Sequence, residues 1–491
     1  MKYKIMGIVA LLIAAILILA ISLGNTESEV QRVHQHIEAK DKGVCTCNEF
    51  CTHLPIVNIQ TGGNVIPGAI TEEVDFFGEN IYTLTQTGEK MAPVTISVFD
   101  NDEKNNHLSD KPTFTTTSLI RIRGHASRSF GKSQYLLRFV DQEGAEKHIP
   151  VLGMDAHNEW VLNGPYLDKS LIRNYMFYNI SGEIMEFAPN VRFCEVFLDG
   201  DYRGVYFMAE SISNGNNRRL DLNITEKDNT FSGYLLRLDR STEDGIMDAD
   251  NIYTMSERTN QVKVDIRLDY PGKANLTDEL AKEIELEFSQ FEKALFSYDY
   301  NSDDYGYKNY IDVDSFVTYY IINEFTKNMD AGRYSTYIYK RPGEKYKMCV
   351  WDFNNACDNL PDDETDTIGF TMLDKAYFNI LFRDEDFVEK VIQKYTELRK
   401  GLLSDEYLTK YIDETVAFLG SAVARNTNRW NVYIQSDQLI PVERNVYTHE
   451  DAVKQLKEWL VSRGKWMDDN IDSLRQYCAE SKVKKHNEVT E

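Results

Sequence analysis

The stretch KNMDAGRYSTYIYKRPGEKYKMCVWDFNN, residues 327–355, predicts a loop followed by a β-hairpin and a second loop. Its two apolar segments have the length and composition of strands, and a Pro-Gly turn separates them. The predicted strands are Tyr334–Lys340 and Tyr346–Asp352, joined by a turn at Arg341–Glu344. When the hairpin is folded about Pro342-Gly343, position 330 lies opposite 354 on strands about 4.8 Å apart. Asp330, Asp352 and Asn354 are therefore expected to meet at the open end of the hairpin.

A helical pattern that ends near Asn328 precedes this hairpin. A helix therefore leads to a loop with one aspartate, and a short hairpin leads to another, which is the order of elements in a protein-kinase centre. In that chemistry one carboxylate orients or deprotonates the acceptor hydroxyl, and the other holds Mg²⁺ against the β- and γ-phosphates. Asp330 fits the first role and Asp352 the second, and Asn354 offers a further oxygen ligand.

Two other interpretations of the paired aspartates stay open. Loop aspartates commonly cap and solvate turns, although here both ends of one apolar hairpin end in Asp and Trp351 adjoins one of them. Two carboxylates about 5–5.5 Å apart would also suit a retaining glycosidase. A glycosidase, however, would not require the cationic segment that lies earlier in the chain.

That cationic segment is IRIRGHASRSFGKSQYLLRF, residues 120–139, in a chain with a formal net charge of -24. Its positions 126–133 approach a phosphate-binding P-loop, but the first glycine is replaced by alanine and a strand pattern stands where a helix is required. A glycine-containing turn between two strands favours a hairpin that covers a nucleotide, with Arg123 and Lys132 near the phosphates. The alternative is an edge strand protected by solvated Lys and Arg side chains.

The two halves of the chain differ in their predicted secondary structure. Strand patterns dominate up to about residue 212, and helical patterns fill much of the remainder, so an α+β fold with two lobes is predicted. Asp168 is expected to cap a helix, and Arg173 on that helix is expected to pair with Asp168 or another acid in a structural role. Glu210 ends the strand GVYFMAE and is either a nucleotide contact between the lobes or a surface residue.

The N-terminus has the pattern of a targeting segment. Lys2 and Lys4 precede an apolar run from Ile5 to Leu23, which is nearer the length of a membrane anchor than of a cleaved signal peptide. Because the lysines would remain inside, the rest of the chain is expected outside the membrane or secreted. The strongly negative net charge of the chain argues against general nucleic-acid binding, which requires a basic surface.

A cluster of soft ligands follows in CTCNEFCTH, which contains Cys45, Cys47, Cys51 and His53. A zinc site is one interpretation, although the C-x-C spacing is tighter than in common zinc fingers. A disulfide with an odd thiol and an unpaired linker are the other interpretations. The remaining cysteines are scattered, at Cys194, Cys349, Cys357 and Cys478.

Several motifs, in one order between Leu54 and Leu474, resemble the CotH kinase family. They are RIRGHASRSFGKSQYLLRF, LGMDAHNEWVLNGPYLDKSLIRN, EVFLDGDYRGVYFMAESI, KNMDAGRYSTYIYK, VWDFNNA and LKEWLVSRGKWMDDNI. The resemblance implies an atypical protein-kinase-like bilobed fold, with a β-rich N-lobe and a helix-rich C-lobe. It also implies the use of ATP with Mg²⁺ or Mn²⁺ to phosphorylate Ser or Thr of partner proteins. Spore-coat members of the family modify coat proteins, and some related surface proteins serve in adhesion or invasion.

On this resemblance Lys132 matches the lysine of the N-lobe, and Asp330 matches the aspartate of the catalytic loop. Asp352 matches the metal-holding aspartate of the WDF motif, and Trp351 lines the nucleotide site. The sequence departs from the family pattern at three places, which are Asn354 for a second Asp, Ser335 for an Asn ligand, and Cys357-Asp358 for an aromatic-Gly pair. The departures leave open an alternative function, a kinase-like surface protein that serves adhesion or assembly without catalysis.

The sequence also predicts how the chain is divided. The predicted parts are a signal anchor or signal peptide (1–24), a polar stalk with the cysteine cluster (25–53), a leading β-rich segment (54–115), a kinase-like N-lobe (116–212), a kinase-like C-lobe (213–478) and a polar tail (479–491).

Overall fold

The structure, a computed structural model, describes residues 35–37, 41–74, 80–215, 220–222, 233–239 and 265–479. These residues belong to one compact unit, His34–Glu491. The predicted membrane segment (1–24), the first part of the predicted stalk and nearly all of the predicted tail lie outside the described residues. Within the described ranges, no helix combines the length and the apolar character needed to cross a bilayer.

The strands are distributed over the first three quarters of the chain. In chain order they are β1 (Ile56–Gln60), β2 (Ile70–Val74), β3 (Asn80–Tyr82), β4 (Ala92–Phe99), β5 (Phe114–Ile122), β6 (Tyr135–Val140), β7 (Ile149–Val151), β8 (Met154–His157), β9 (Glu159–Asn163), β10 (Val191–Leu198), β11 (Asp201–Glu210), β12 (Tyr234–Asp239), β13 (Asp265–Tyr270), β14 (Thr336–Lys340) and β15 (Lys347–Cys349).

The helices are concentrated in the second half. They are α1 (Arg173–Ile184), α2 (Asp278–Leu295), α3 (Val313–Phe325), α4 (Phe378–Leu381), α5 (Glu385–Arg399), α6 (Asp405–Leu419), α7 (Ser421–Arg429), α8 (Asn431–Ile434) and α9 (His449–Asn470). Several begin after a Ser, Thr or Asp whose side chain accepts a backbone N–H of the first turn, which satisfies donors that the helix cannot. These caps are Thr277, Asp312, Asp384, Ser404 and Thr448. The predicted α+β class is confirmed.

Seven strands close a barrel in the order β1-β10-β11-β9-β6-β5-β4. Strand β1 closes it by pairing parallel with β10 and antiparallel with β4. Alternating side chains fill the interior, among them Ile59, Ile96, Leu137 and Trp160, all fully buried. Because β1 and β4 come from residues 54–115, the leading β-rich segment is built into the same barrel as the strands of the predicted N-lobe.

A second, antiparallel sheet has the order β13-β12-β14-β15 and packs with the helices in a separate, larger hydrophobic core. Helix α1 is buried on almost every side and contacts both β10 and α3. The helix begins at Arg173 with Ile172 as its N-cap, which is later than the predicted cap at Asp168. The Asp168 carboxylate nevertheless accepts the backbone N–H of Arg173, at 2.8 Å. The side chains of Asp168 and Arg173 also form the expected buried ion pair, at 2.6 Å.

The predicted hairpin is present as β14 and β15, but its register differs from the prediction. Tyr337 pairs with Cys349 and Ile338 with Met348. Each residue of the first strand therefore pairs with a residue two positions later in the chain than predicted. The connecting loop is longer than the predicted four-residue turn because Tyr346 leaves the hairpin and forms a parallel bridge with Ile311. The strands are also shorter than predicted. β14 begins directly after Ser335, whose backbone is left-handed with φ of 47°, and β15 ends at Cys349, three residues before the left-handed Asp352, with φ of 61°.

Candidate active site

The structure brings Asp330 and Asp352 into one electrostatic environment. Asp330 lies in the turns between α3 and β14, where its carbonyl accepts the backbone N–H of Tyr334 at 2.7 Å. Asp352 lies three residues beyond β15. Asn355 connects the two segments, because its side-chain amide donates to the Asp330 carboxylate at 3.0 Å. The carboxylates thus converge from two ends of the hairpin despite the altered register.

Three hydrogen bonds, two from α1 and one from the segment after α3, fix the backbone around Asp352. The Tyr178 hydroxyl of α1 accepts the N–H of Asp352 at 3.0 Å, and the side-chain amide of Asn328 donates to its carbonyl at 3.0 Å. Asn174, also on α1, accepts the N–H of Phe353 at 2.6 Å. Left-handed backbone at a non-glycine residue is costly and persists only where the surroundings hold it in place. These contacts therefore fix the direction of the Asp352 carboxylate.

Arg173 anchors the loop that follows Asp352. Its guanidinium, buried in the ion pair with Asp168, donates to the carbonyls of Ala356 at 3.0 Å and Cys357 at 3.1 Å. The backbones of Cys357 and Asp358 are left-handed as well, with φ of 53° and 60°. The structural role predicted for Arg173 thus includes holding the loop next to the candidate site.

Burial and the neighbouring charge of Asp330 raise the pKa of Asp352 from 3.8 to about 6, and the positive charge of Arg123 acts in the opposite direction. Two close carboxylates repel each other when both are ionised, and desolvation adds to the cost. A cation placed between them would relieve both effects. The electrostatics of the pair therefore favour a positively charged ligand.

This raised pKa makes the fold less stable as the pH rises. Between pH 4 and 6 the native state binds more protons than the unfolded chain, so the free energy of unfolding falls across that window. A difference of about two pKa units corresponds to about 3 kcal/mol. We expect Asp352→Asn to be more stable than the wild type by up to this amount at pH 7.5, and equally stable below pH 4.

Urea unfolding of the metal-free protein at pH 4 and pH 7.5 measures this difference. Asp363→Asn is a matched control, because Asp363 is an exposed loop aspartate, and it should behave as wild type at both pH values. A gain for Asp352→Asn of equal size at both pH values would contradict the electrostatic origin.

Arg123 and Trp351, two residues predicted to bind nucleotide, lie beside the carboxylate pair. Arg123 follows β5 in the barrel, and its guanidinium lies 5.3 Å from the centre of the Trp351 ring. The Trp351 ring stacks on Tyr178 at 5.5 Å. The barrel thus contributes a cation that partly offsets the raised pKa of Asp352. The aromatic ring of Trp351 lies next to this cation.

Asn354 lies directly beside the Asp352 carboxylate. One end of its amide lies against the Asp352 carboxylate, and with the nitrogen turned inward it donates to that carboxylate. With the oxygen turned inward, Asp352 and Asn354 would present hard oxygen ligands to one cation. Mg²⁺ is usually bound by one or two carboxylates together with waters and substrate phosphates. The donor set fits such an ion.

Lys132 does not join this group. Its ammonium is 1% exposed and donates to the Asn426 side chain on α7 at 2.9 Å, with the Pro165 carbonyl at 3.4 Å. Burial lowers the pKa of Lys132 well below its usual value, although the charge of Asp168 acts to raise it. In the part of the chain that the structure describes, no hydrogen bond or ion pair of Lys132 involves Asp330 or Asp352. Its assignment to the phosphates stays a prediction.

Glu210 is buried at the end of β11. The interpretation of Glu210 as a surface residue is therefore wrong. One carboxylate oxygen accepts the backbone N–H of Asn190 at 2.9 Å. The other oxygen is buried and has no hydrogen-bond partner among the residues that the structure describes. Such an oxygen could accept a hydrogen bond from a ligand, but the contact with nucleotide stays a prediction.

Several residues of the site were not found from the sequence. Tyr178, Asn174 and Asn328 act on Asp352 from 24 to 179 positions away along the chain. Nothing in a single sequence distinguishes them from core residues. Asn355 could have been noticed, because it follows Asp352 in the segment WDFNN.

Known proteins with similar sequences point to one family. The family model described as CotH kinase protein matches residues 120–467, which include both aspartates and Arg123. The chain is also similar to the inner spore coat protein H of Bacillus subtilis (strain 168), with 22% identity over 320 residues. That alignment covers 59% of this chain and 78% of the spore coat protein. Since the family model covers well over half of the sequence, the chain belongs to the CotH kinase family.

Proposed function

We propose that this protein is an ATP-dependent protein kinase that transfers the γ-phosphoryl group to a Ser or Thr hydroxyl of a partner protein. The observation that carries the proposal is the coupled pair Asp330 and Asp352, held at one end of the hairpin with Arg123 beside it. Phosphoryl transfer depends mainly on positioning and on charge stabilisation, and these residues provide both. Membership of the CotH kinase family supports the same reaction.

Each residue has a separate role in the proposed reaction. Asp330, oriented by Asn355, accepts the proton of the acceptor hydroxyl as its oxygen forms the bond to the γ-phosphorus. The bond from that phosphorus to the bridging oxygen breaks, and ADP leaves. Asp352 and Asn354 would hold Mg²⁺ or Mn²⁺, which when bound neutralises charge on the phosphates. Arg123 would contribute a second positive charge, and Trp351 an aromatic surface for the nucleotide.

The fold supports a kinase-like arrangement of two lobes. The barrel carries Arg123, and the helix-rich part carries both aspartates on the loops around β14 and β15. A nucleotide held between these parts would meet the cation from one side and the metal ligands from the other. In this proposal Lys132 would reach a phosphate only after its ammonium leaves Asn426.

The proposed partner is a surface or exported protein. The charged and apolar N-terminal pattern supports an extracytoplasmic location, anchored through residues 1–24 or secreted. The similarity to a spore coat protein supports a substrate in an outer layer. The alternative function is a kinase-like scaffold for adhesion or assembly, which the replacement of an acidic ligand by Asn354 favours.

Transfer of label from γ-labelled ATP tests the proposal. The purified full-length protein, with Mg²⁺ or Mn²⁺, should label itself or an added protein acceptor on Ser or Thr. Asp352→Asn should abolish the label, whereas Asp363→Asn should retain it. Equal labelling of wild type and Asp352→Asn would overturn the proposal. No labelling together with no rise in melting temperature on adding Mg–ATP would favour the scaffold alternative, since a ligand that binds only the native state stabilises it.

A further inference from the structure

A cluster of metal-ligating side chains lies outside the candidate active site, where the segment before the barrel meets the loop between β4 and β5. Ligand atoms of Cys45, Cys47, Cys51 and His107 all lie within 4.8 Å of one another. The Cys45 sulfur is 2.9 Å from the Cys47 sulfur and 3.4 Å from Nε2 of His107. In this structure Cys45 and Cys51 are joined as a disulfide, and Cys47 is a free thiol. Three sulfur atoms and one imidazole thus share one small volume.

His107 reaches the cysteines because the loop between β4 and β5 is fastened to the cysteine segment. The backbones of Thr52 and Asn106 exchange two hydrogen bonds, at 3.2 and 2.7 Å. The Asn105 side chain donates to the carbonyl of Gly43 at 3.1 Å. Cys45 and His107 are 62 positions apart in the sequence. The cluster is therefore created by the fold and not by a local motif.

A carboxylate orients the His107 ring as in many metal sites. Nδ1 lies 3.2 Å from a carboxylate oxygen of Asp110, and the backbone N–H of His107 donates to the same oxygen at 3.0 Å. Metal-binding histidines commonly donate their second ring N–H to a carboxylate, which fixes the tautomer. With Nδ1 as the donor, the lone pair of Nε2 is directed towards the sulfurs.

The histidine suggested by the sequence is not part of the cluster. Nε2 of His53 lies 2.5 Å from the carbonyl of Phe418 instead. His107, which has no local sequence relation to the cysteines, takes the fourth position. Of the interpretations of the cysteine cluster, the disulfide with an odd thiol is the one that this structure contains, and His53 lies outside the cluster.

A disulfide accounts for only part of this arrangement. Joining Cys45 to Cys51 leaves the Cys47 thiol exposed and gives the oriented imidazole no function. The other cysteines that the structure describes outside the cluster are buried, so they are unsuitable partners for Cys47. A single tetrahedral Zn²⁺ uses all four groups, and its ligand atoms lie about 3.3–3.8 Å apart. The four ligand atoms lie within 4.8 Å of one another, so they can surround one ion once the bond between Cys45 and Cys51 is open.

We propose that Cys45, Cys47 and Cys51, as thiolates, bind one Zn²⁺ together with His107. The cysteines are thiols when the chain is made, so binding requires only the loss of their protons to water and no oxidant. The ion fastens the segment 41–53 to the barrel loop between β4 and β5. This role is independent of phosphoryl transfer, because none of the four ligands belongs to the candidate active site.

Metal analysis of the full-length protein, purified with a mild reductant and without chelator, tests the proposal. We expect one zinc per chain in the wild type and in His53→Ala. We expect His107→Ala and Cys47→Ser to lose the zinc, and Asp110→Asn to bind it about 10–100-fold more weakly. Cys47 is exposed, so its replacement by serine should not prevent folding. Titration with Co²⁺ should give the thiolate charge-transfer band of a tetrahedral site in the wild type.

Two results would overturn the zinc site. One is a zinc content that is equal in wild type and in Cys47→Ser. The other is a wild-type protein without zinc, in which a thiol count shows Cys45 and Cys51 still joined after the mild reductant. Because the readout is metal content, failure of the kinase test would leave this result unaffected.

Discussion

Asp330→Asn is expected to slow phosphoryl transfer by about 10²–10⁴-fold, the usual contribution of a positioned general base. Asparagine keeps the size of the side chain and an oxygen that can accept the hydrogen bond from Asn355. It cannot take the proton of the acceptor hydroxyl. The substitution should therefore remove the chemical step and leave the fold and the metal ligands in place.

Comparison with Asp352→Asn separates the two proposed roles. With Asp330→Asn, Mg–ATP should still raise the melting temperature, whereas with Asp352→Asn most of that shift should disappear. Initial rates at saturating ATP and thermal unfolding with and without Mg–ATP measure both effects. Asp363→Asn should match the wild type in both assays. An Asp330→Asn protein with a wild-type rate, or without any Mg–ATP shift, would contradict the assignment.

The sequence predicted the hairpin and its two aspartates because the signals are local. Apolar strands around Pro342-Gly343, with acidic residues at both outer ends, need no knowledge of the rest of the chain. The register could not be predicted in the same way. It depends on the bridge between Tyr346 and Ile311, which forms only when the segment before α3 is already in place.

The barrel shows the same limit at the level of the fold. The alternating patterns of β4, β5 and β6 predict strands, but not that β1 would pair parallel with β10 and close the sheet. For the same reason, a local island of charge identified Arg123 and Lys132 together, although only Arg123 acts on Asp352. The fold directs the Lys132 ammonium to Asn426, which is 294 positions away.

A buried ion pair near the end of the helix that precedes Asp330 has no signal in the sequence. Glu324, near the end of α3, and Arg463, in α9, contact each other at 2.7 Å, and both side chains are 0% exposed. Glu324 also accepts the backbone N–H groups of Thr371 and Met372. Arg463 donates to the carbonyls of Thr367 and of a neighbouring glycine, at 2.9 and 2.8 Å. The pair thus joins α3 and α9 to the loop that contains Thr367, Thr371 and Met372. Glu324 lies six residues before Asp330 in the sequence.

Arg463→Met is expected to lower the free energy of unfolding by about 3–5 kcal/mol, because it leaves the Glu324 carboxylate buried without its partner. Adding Glu324→Gln should restore part of the loss, since the uncompensated charge is then removed. Urea unfolding of both variants measures the effect. Lys465→Met on the same helix is the control, because the Lys465–Asp469 pair is exposed and should contribute little. If Arg463→Met were as stable as Lys465→Met, Glu324 would have to be uncharged or solvated in the native protein, and α3 would lack the support that we assign to the loop carrying Asp330.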